Sequence, residues 1–345
     1  MLARWLIATK VSILNFSCFD FILMQNSSKD SALPWGMAFI LFAQLDYTDI
    51  IILHIVEGAS LMSIALSAES TIDLPKELLS QFQIVTVPFT LTMGEKTGLD
   101  GEVTPDELFA FTDKTGKLAK TSAVNQFQFE EHFRALLKDH DSLIHISLSA
   151  ELSSAYQNAV NASQEDEFKG KVFVIDSRSL STGIALLAIY ARKLIDQGGK
   201  VEEIVKKVEA RIPFDQASFS LESVNYLYKG GRCSYLAMIG ANILRLKPEI
   251  YVKEGKMVPG KKYRGNMATV VMEYVEDTLN MFNHPDLENV FITYSTVSDG
   301  LVDQIKARLK KAGFKNIMVT KAGGTISCHC GPHCLGILYI NDGAH

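Results

Sequence analysis

The sequence predicts an α/β fold: a mainly parallel sheet with helices on both faces, followed by a smaller α+β half. Three observations predict it. From Met62 onward, short apolar or β-branched runs alternate with amphipathic segments, the rhythm of strand–helix–strand units. Three hydroxyl-rich turns, Ser67–Thr71, Ser147–Ser154 and Asp176–Ser181, fall at the carboxyl ends of expected strands. Ligands of parallel sheets bind at such ends. Near Pro213 a helix ends and the rhythm changes. Residues 62–213 are therefore expected to form an N-terminal α/β domain and 214–345 a C-terminal α+β domain, with 1–61 an extension outside both.

The elements follow in order. Ser63–Leu66 reads as a strand, and Asp73 as the N-cap of a helix with Pro75 in its first turn. Ile84–Leu91 reads as one strand, being rich in β-branched residues. Asp100-Gly101 makes a turn, and Thr104-Pro105-Asp106-Glu107 caps a helix reaching about Thr112. Lys120-Thr121-Ser122 precedes a helix over Phe127–Lys138. A strand at 143–148, where Ile144, Ile146 and Leu148 alternate with His145 and Ser147, leads into a helix at about 153–164. Val172–Ile175 is a strand, Leu180–Asp196 a long helix closed by Gly198-Gly199, and Val201–Arg211 another helix.

In the second half, Phe219–Leu221 is a strand, Val224–Lys229 a short helix and Met238–Leu246 a helix. Ile250–Val252 and Lys256–Val258 flank Glu254-Gly255 as a hairpin. Met267–Phe282 and Gly300–Ala312 are helices; Val290–Tyr294, Ile317–Thr320 and Leu335–Ile340 are strands.

Composition narrows the function. The net charge is −5 and no basic block occurs, which argues against nucleic acid as a partner. Val11–Met24 and Met37–Leu45 are apolar but shorter than the ~20 residues that span a bilayer. Residues 1–61 read as preceding a native start at Met62, with an interfacial membrane anchor as the alternative. Five cysteines, three of them in Cys328–Cys334, do not form a disulfide framework and favour a reducing, cytoplasmic setting.

Cys328-His329-Cys330-Gly331-Pro332-His333-Cys334 packs five potential zinc ligands into seven residues. Tetrahedral sites usually draw ligand pairs from separated segments, and no second pair is evident. No metal is expected; the segment reads instead as a tight Gly-Pro turn carrying His329, which could hydrogen-bond an anion. The turn holding Ser149, Ser153 and Ser154 offers hydroxyls and backbone N–H groups to a carboxylate or phosphate, or is simply a serine cap. Arg232 and Arg264 stand beside glycines, either as phosphate-gripping guanidinium groups or as solvated surface charges. No Gly-x-Ser-x-Gly elbow, P-loop or dinucleotide fingerprint occurs, so no catalytic engine is evident.

Taken together, these segments resemble the DegV family, the fatty-acid-binding subunits of bacterial fatty acid kinase. The resemblance covers about Met62 to Tyr339 and rests on order and spacing. Its marks are Ser70-Thr71-Ile72-Asp73-Leu74-Pro75, Lys120-Thr121-Ser122, Leu152-Ser153-Ser154-Ala155-Tyr156-Gln157, Asp176-Ser177-Arg178-Ser179, Lys229-Gly230-Gly231-Arg232, Lys262-Tyr263-Arg264-Gly265 and His329-Cys330-Gly331-Pro332. It implies a two-domain α/β protein with one long acyl chain buried between the domains and no other cofactor. It implies that Thr121 and Ser153 hold the carboxylate with His329 close by. Arg232 and Arg264 would face the phosphate or a separate ATP-binding kinase subunit, which makes the acyl phosphate. The chain would then carry no catalytic centre of its own. The alternatives are a lipid-binding or sequestering protein without a kinase, or a stand-alone hydrolase.

The chain departs from the family pattern at several places. Glu69 replaces an aspartate, and Ala123-Val124-Asn125-Gln126 replaces a proline-containing stretch. Ser154-Ala155 replaces Gly-Thr, and His333 replaces a glycine. The glycine-to-serine change is expected to narrow the head-group site.

Overall fold

The structure, a computed structural model, describes residues 63–232 and 246–343. The expected helix at Met238–Leu246 and both apolar segments of the first 61 residues lie outside the described residues, apart from Leu246 itself.

The first sheet is fully parallel, in the order β2 (Ile84–Val87), β1 (Ile64–Glu69), β6 (Ser142–Ser147), β7 (Val172–Asp176). Every residue of β1 and β6 is buried, as a parallel strand covered on both faces requires. A three-stranded antiparallel sheet beside it holds β3 (Thr90–Met93) between β4 (Lys96–Leu99) and β5 (Lys120–Ser122). The expected strand Ile84–Leu91 is thus two strands in two sheets. Pro88 lies between them, and it has no N–H to continue a ladder. Lys120-Thr121-Ser122 is strand rather than lead-in.

The second sheet is mixed, in the order β10 (Lys256–Tyr263), β9 (Lys247–Lys253), β8 (Asp215–Ser220), β13 (Leu335–Ile340), β11 (Asn289–Tyr294), β12 (Asn316–Lys321). Only β11 and β12 pair in parallel; the other pairs are antiparallel. Strand alternation gives this sheet two buried faces. Val290 and Ile292 join one core cluster with Ile337 and Tyr339, whereas Phe291 and Leu338 join the other.

The helices in chain order are α1 (Lys76–Gln81), α2 (Pro105–Thr115), α3 (Gln126–Leu136), α4 (Ala155–Ser163), α5 (Thr182–Asp196), α6 (Val201–Arg211), α7 (Asn225–Lys229), α8 (Met267–Met281), α9 (Leu301–Lys311) and α10 (Gly324–Cys330). Helix α5 is the hinge of the packing. Its sequence Gly-Ile-Ala-Leu-Leu-Ala is buried all round, because α5 touches strands of both large sheets. Helices α8 and α9 cover the outer face of the mixed sheet. Thr104 and Glu107 form the expected capping box of α2.

Asp73 is not an N-cap. It sits in the left-handed region (φ 55°), and Pro75 takes the cap position of α1. Of the segment Cys328–Cys334, expected as a turn, the first three residues end helix α10, which begins at Gly324, and the turn follows at Gly331 and His333. His333 has φ 57°, a conformation that favours glycine and suits the family residue it replaces.

Candidate functional site

A cavity lies among the carboxyl ends of the parallel sheet, the inner face of the mixed sheet and α10. Most of its wall is apolar, with Phe89, Leu148, Leu180, Phe219, Ile326 and Leu338 contributing. Thr121, Ser153, Arg232 and His329 also line it.

Helix α10 is placed by two buried acidic side chains. The Gly323 N–H donates to Asp73 Oδ1 (2.8 Å), and the Gly324 and Thr325 N–H groups donate to Asp100 (2.8 and 3.3 Å). Three otherwise orphaned helix donors are thereby satisfied. Glycine is needed at 324, where a Cβ would stand 2.5 Å from Leu91. Helical spacing then turns Thr325, Ile326, His329 and Cys330 toward the cavity on one face.

Thr121 and His329, 208 positions apart, share a hydrogen bond of 2.9 Å between Oγ1 and Nε2. Strand β5 supplies Thr121, and the Cys328 thiol donates to the neighbouring Ala119 carbonyl, fastening α10 to that strand's approach. The other face of the imidazole is pressed by α7. A Cβ on Gly230 would lie 2.6 Å from His329 Nδ1, so only glycine permits this approach. Burial and the Arg232 guanidinium push the His329 pKa down to about 4, so the ring is neutral at pH 7.

Ser153 Oγ accepts from the Ala155 N–H (3.2 Å), leaving its own proton free to donate. The start of α4 adds its positive dipole end there. Ser154 is exposed and outside the lining, so the expected narrowing does not arise from it. Ser149 is turned away, donating to the Gly255 carbonyl of the β9–β10 hairpin. Arg232 donates to the Gly230 carbonyl (3.0 Å) and to the Leu152 carbonyl (3.4 Å), bridging α7 to the Ser153 turn. Arg264 is exposed between β10 and α8 and is not part of the cavity wall.

Sequence reasoning missed Asp73, Asp100 and Ser181. Ser181 lines the cavity and donates to Asp73 Oδ2 (2.5 Å). Both residues have positive φ without being glycine, the kind of strain that concentrates at ligand sites. The Ala322-Gly323-Gly324-Thr325 run was the available signal.

A second polar cluster lies beneath the sheet ends. Ser67 Oγ and His145 Nδ1 are 2.7 Å apart, and His145 Nε2 is 3.3 Å from Glu69 Oε1. The connectivity resembles a Ser-His-acid chain. All three residues are fully buried and outside the cavity, and Glu69 also accepts from Ser147 Oγ and the Leu148 N–H. It ties β1 to β6. Cys328, Cys330 and Cys334 are free and buried, and among the described residues no group of three His, Cys, Asp or Glu side chains is arranged to hold a metal.

The buried carboxyls make stability pH-dependent. Burial lifts Asp73 from 3.8 to about 8 and Asp215 to about 7. Their contribution is full below the unfolded value of 3.8 and is lost as pH rises through 7 to 8. Burial also depresses His132 to about 3 and His329 to about 4 from 6.5, with the opposite sign: their contribution is present above 6.5 and lost on acidification. The two sets offset each other below pH 6.5. Above it the carboxyls act alone, so thermal stability should fall between pH 6.5 and 8, at about 1.4 kcal/mol per pH unit for each proton released. Asp73→Asn keeps an acceptor for Gly323 and should flatten that decline. An equally steep decline in the variant would remove Asp73 as its source.

This fold and site define a class: an α/β protein with a largely apolar cavity whose wall carries a few polar side chains. The chain belongs to the DegV family, described as "Uncharacterised protein, DegV family", which it matches over residues 63–342. It is 29% identical over 279 residues to a DegV domain-containing protein of Caldanaerobacter subterraneus, covering 80% of this chain and 98% of that one. Its fold matches a DegV family protein from Thermus thermophilus described for fatty acid binding, with a TM-score of 0.75 at 24% identity, over 81% of this chain and all of that one. It also matches the Streptococcus pneumoniae Fatty Acid Kinase (Fak) B3 protein loaded with linoleic acid, with a TM-score of 0.70 at 21% identity, over 81% and 100% of the two chains. Among the described residues no helix is long and apolar enough to cross a membrane.

Proposed function

We propose that this protein binds one long-chain fatty acid in the cavity and presents its carboxylate to a separate ATP-binding kinase subunit, which forms the acyl phosphate. The observation that carries the reading is the Thr121–His329 hydrogen bond at the wall of an apolar cavity. Burying each CH2 contributes about 0.8 kcal/mol, so the acyl chain supplies most of the affinity. A few polar groups then suffice for the head. Thr121 and Ser153 donate their hydroxyl protons to the carboxylate, and neutral His329 orients Thr121. The descriptions of the Thermus and Streptococcus relatives support the ligand class, and that of the Streptococcus relative supports an association with fatty acid kinase.

In this reading the nucleotide belongs to the partner. Arg232, at the cavity wall beside His329, faces the phosphate as it is transferred; exposed Arg264 meets the partner. Native mass spectrometry of purified protein, with organic extraction, should reveal one long-chain fatty acid per chain. A ligand-free protein that refuses added fatty acid would remove the function. Arg232→Ala should lower acyl phosphate formation at least tenfold with ATP and the partner subunit, well beyond its effect on acid binding. Arg264→Ala should lower it less. Unchanged rates in both variants would leave a lipid carrier with no kinase role for these arginines.

A further inference from the structure

Fatty acid binding as proposed above satisfies Thr121 and Ser153 but leaves the hydroxyl of Thr325 without a partner. Thr325 lines the cavity, is 3% exposed, and its Oγ1 has no hydrogen-bond partner. Four other hydroxyls of the wall are committed. Ser181 donates to Asp73, Ser295 donates to the Gly331 carbonyl, Ser218 pairs with Tyr274, and Thr293 pairs with Thr182 and Thr320. His329 Nδ1 is also unpartnered, but it is packed against Gly230. A buried hydroxyl without a partner is costly, and a plain acyl chain cannot relieve that cost.

Position says where the missing partner lies. Thr325 precedes His329 by one turn of α10, a rise of about 6 Å along the helix. For an acyl chain running from a carboxylate at Thr121 and His329 toward the start of α10, Thr325 stands beside the first few carbons. The Thr325 N–H is bound by Asp100, so the residue cannot drift from this place.

We propose that the cavity takes fatty acids oxygenated near the carboxyl end, and that Thr325 is the residue that reads the added oxygen. A threonine hydroxyl can both donate and accept, so it suits a hydroxyl or a keto group. The inference rests on the fatty-acid reading and adds a substrate class to it.

The test compares palmitic acid with its β-, γ- and δ-hydroxy derivatives on delipidated full-length protein, by displacement of a fluorescent fatty acid. At least one hydroxy acid should bind about tenfold tighter than palmitic acid, the value of one added buried hydrogen bond. Thr325→Val, which keeps the shape and deletes the hydroxyl, should erase that preference and hold palmitic acid as well as the parent does. Thr325→Ser should retain the preference. No preference in the parent protein overturns the proposal. Equal weakening of all the acids in Thr325→Val also overturns it, since the hydroxyl would then hold the carboxylate. Failure of every acid to bind the parent would instead sink the fatty-acid reading itself.

Discussion

Replacing His329 by alanine is expected to weaken fatty acid binding roughly ten- to a hundredfold, the worth of a hydrogen bond to a charged group. The reason lies in the direction of the Thr121 proton. If His329 carries its proton on Nε2, it donates to Thr121 Oγ1 and leaves the Thr121 proton free for the carboxylate. If it carries the proton on Nδ1, Thr121 spends its own proton on the ring. An arriving carboxylate selects the first tautomer, and without the imidazole nothing holds Thr121 in that role. Thr121→Val should therefore cost as much as His329→Ala, and the double variant little more than either. The carboxylate also offsets the Arg232 charge, so the His329 pKa, about 4 in the free protein, should rise on binding. NMR titration of the ring with and without ligand reads this directly. Wild-type affinity in His329→Ala would place the head group elsewhere.

Asp100→Ala is expected to destabilise the fold by about 3 kcal/mol, seen as a fall in Tm of roughly 4 to 5 °C. Asp100 accepts from the Ser70 hydroxyl and from two N–H groups at the start of α10. Removing it strands three donors in the interior. Helix α10 has seven residues and cannot hold itself by propensity. Its displacement carries Thr325 and His329 with it, so acid binding should fall along with stability. Thr104→Ala is the control: it breaks an exposed capping box, should cost about 1 kcal/mol, and should leave binding unchanged. Loss confined to stability in Asp100→Ala would show that α10 keeps its place by packing alone.

Where a local signal was strong, the sequence located the element. Val201–Arg211 and Leu335–Ile340 are found with the expected bounds, and Thr104 caps its helix, because periodicity and capping act within a few residues. The parallel sheet was legible from strand–helix alternation, and the site's place from hydroxyls at three strand ends. Thr121, Ser153, Arg232 and His329 were expected from the family resemblance to meet the ligand or the kinase, and all four line one cavity. Arg264 lies outside it.

Other features were decided only by tertiary contacts. Ile84–Leu91 read as one strand because β-propensity does not say which sheet a segment joins; Thr90–Met93 leaves the parallel sheet to pair with Lys120–Ser122. Asp73 read as a cap because an aspartate before Leu-Pro usually is one. Its carboxyl group instead reaches Gly323, 250 positions away, and no local pattern encodes such a partner. The same holds for α10, whose glycine-rich start argues against a helix until two buried acidic side chains cap it. Sequence by itself determined the alternation, the helix ends and the supply of small hydroxyls, since these depend on neighbours along the chain. The cavity, the neutral state of His329 and the unpartnered hydroxyl of Thr325 were decided only when distant segments packed together, because burial and hydrogen-bond partnership are properties of the assembled interior.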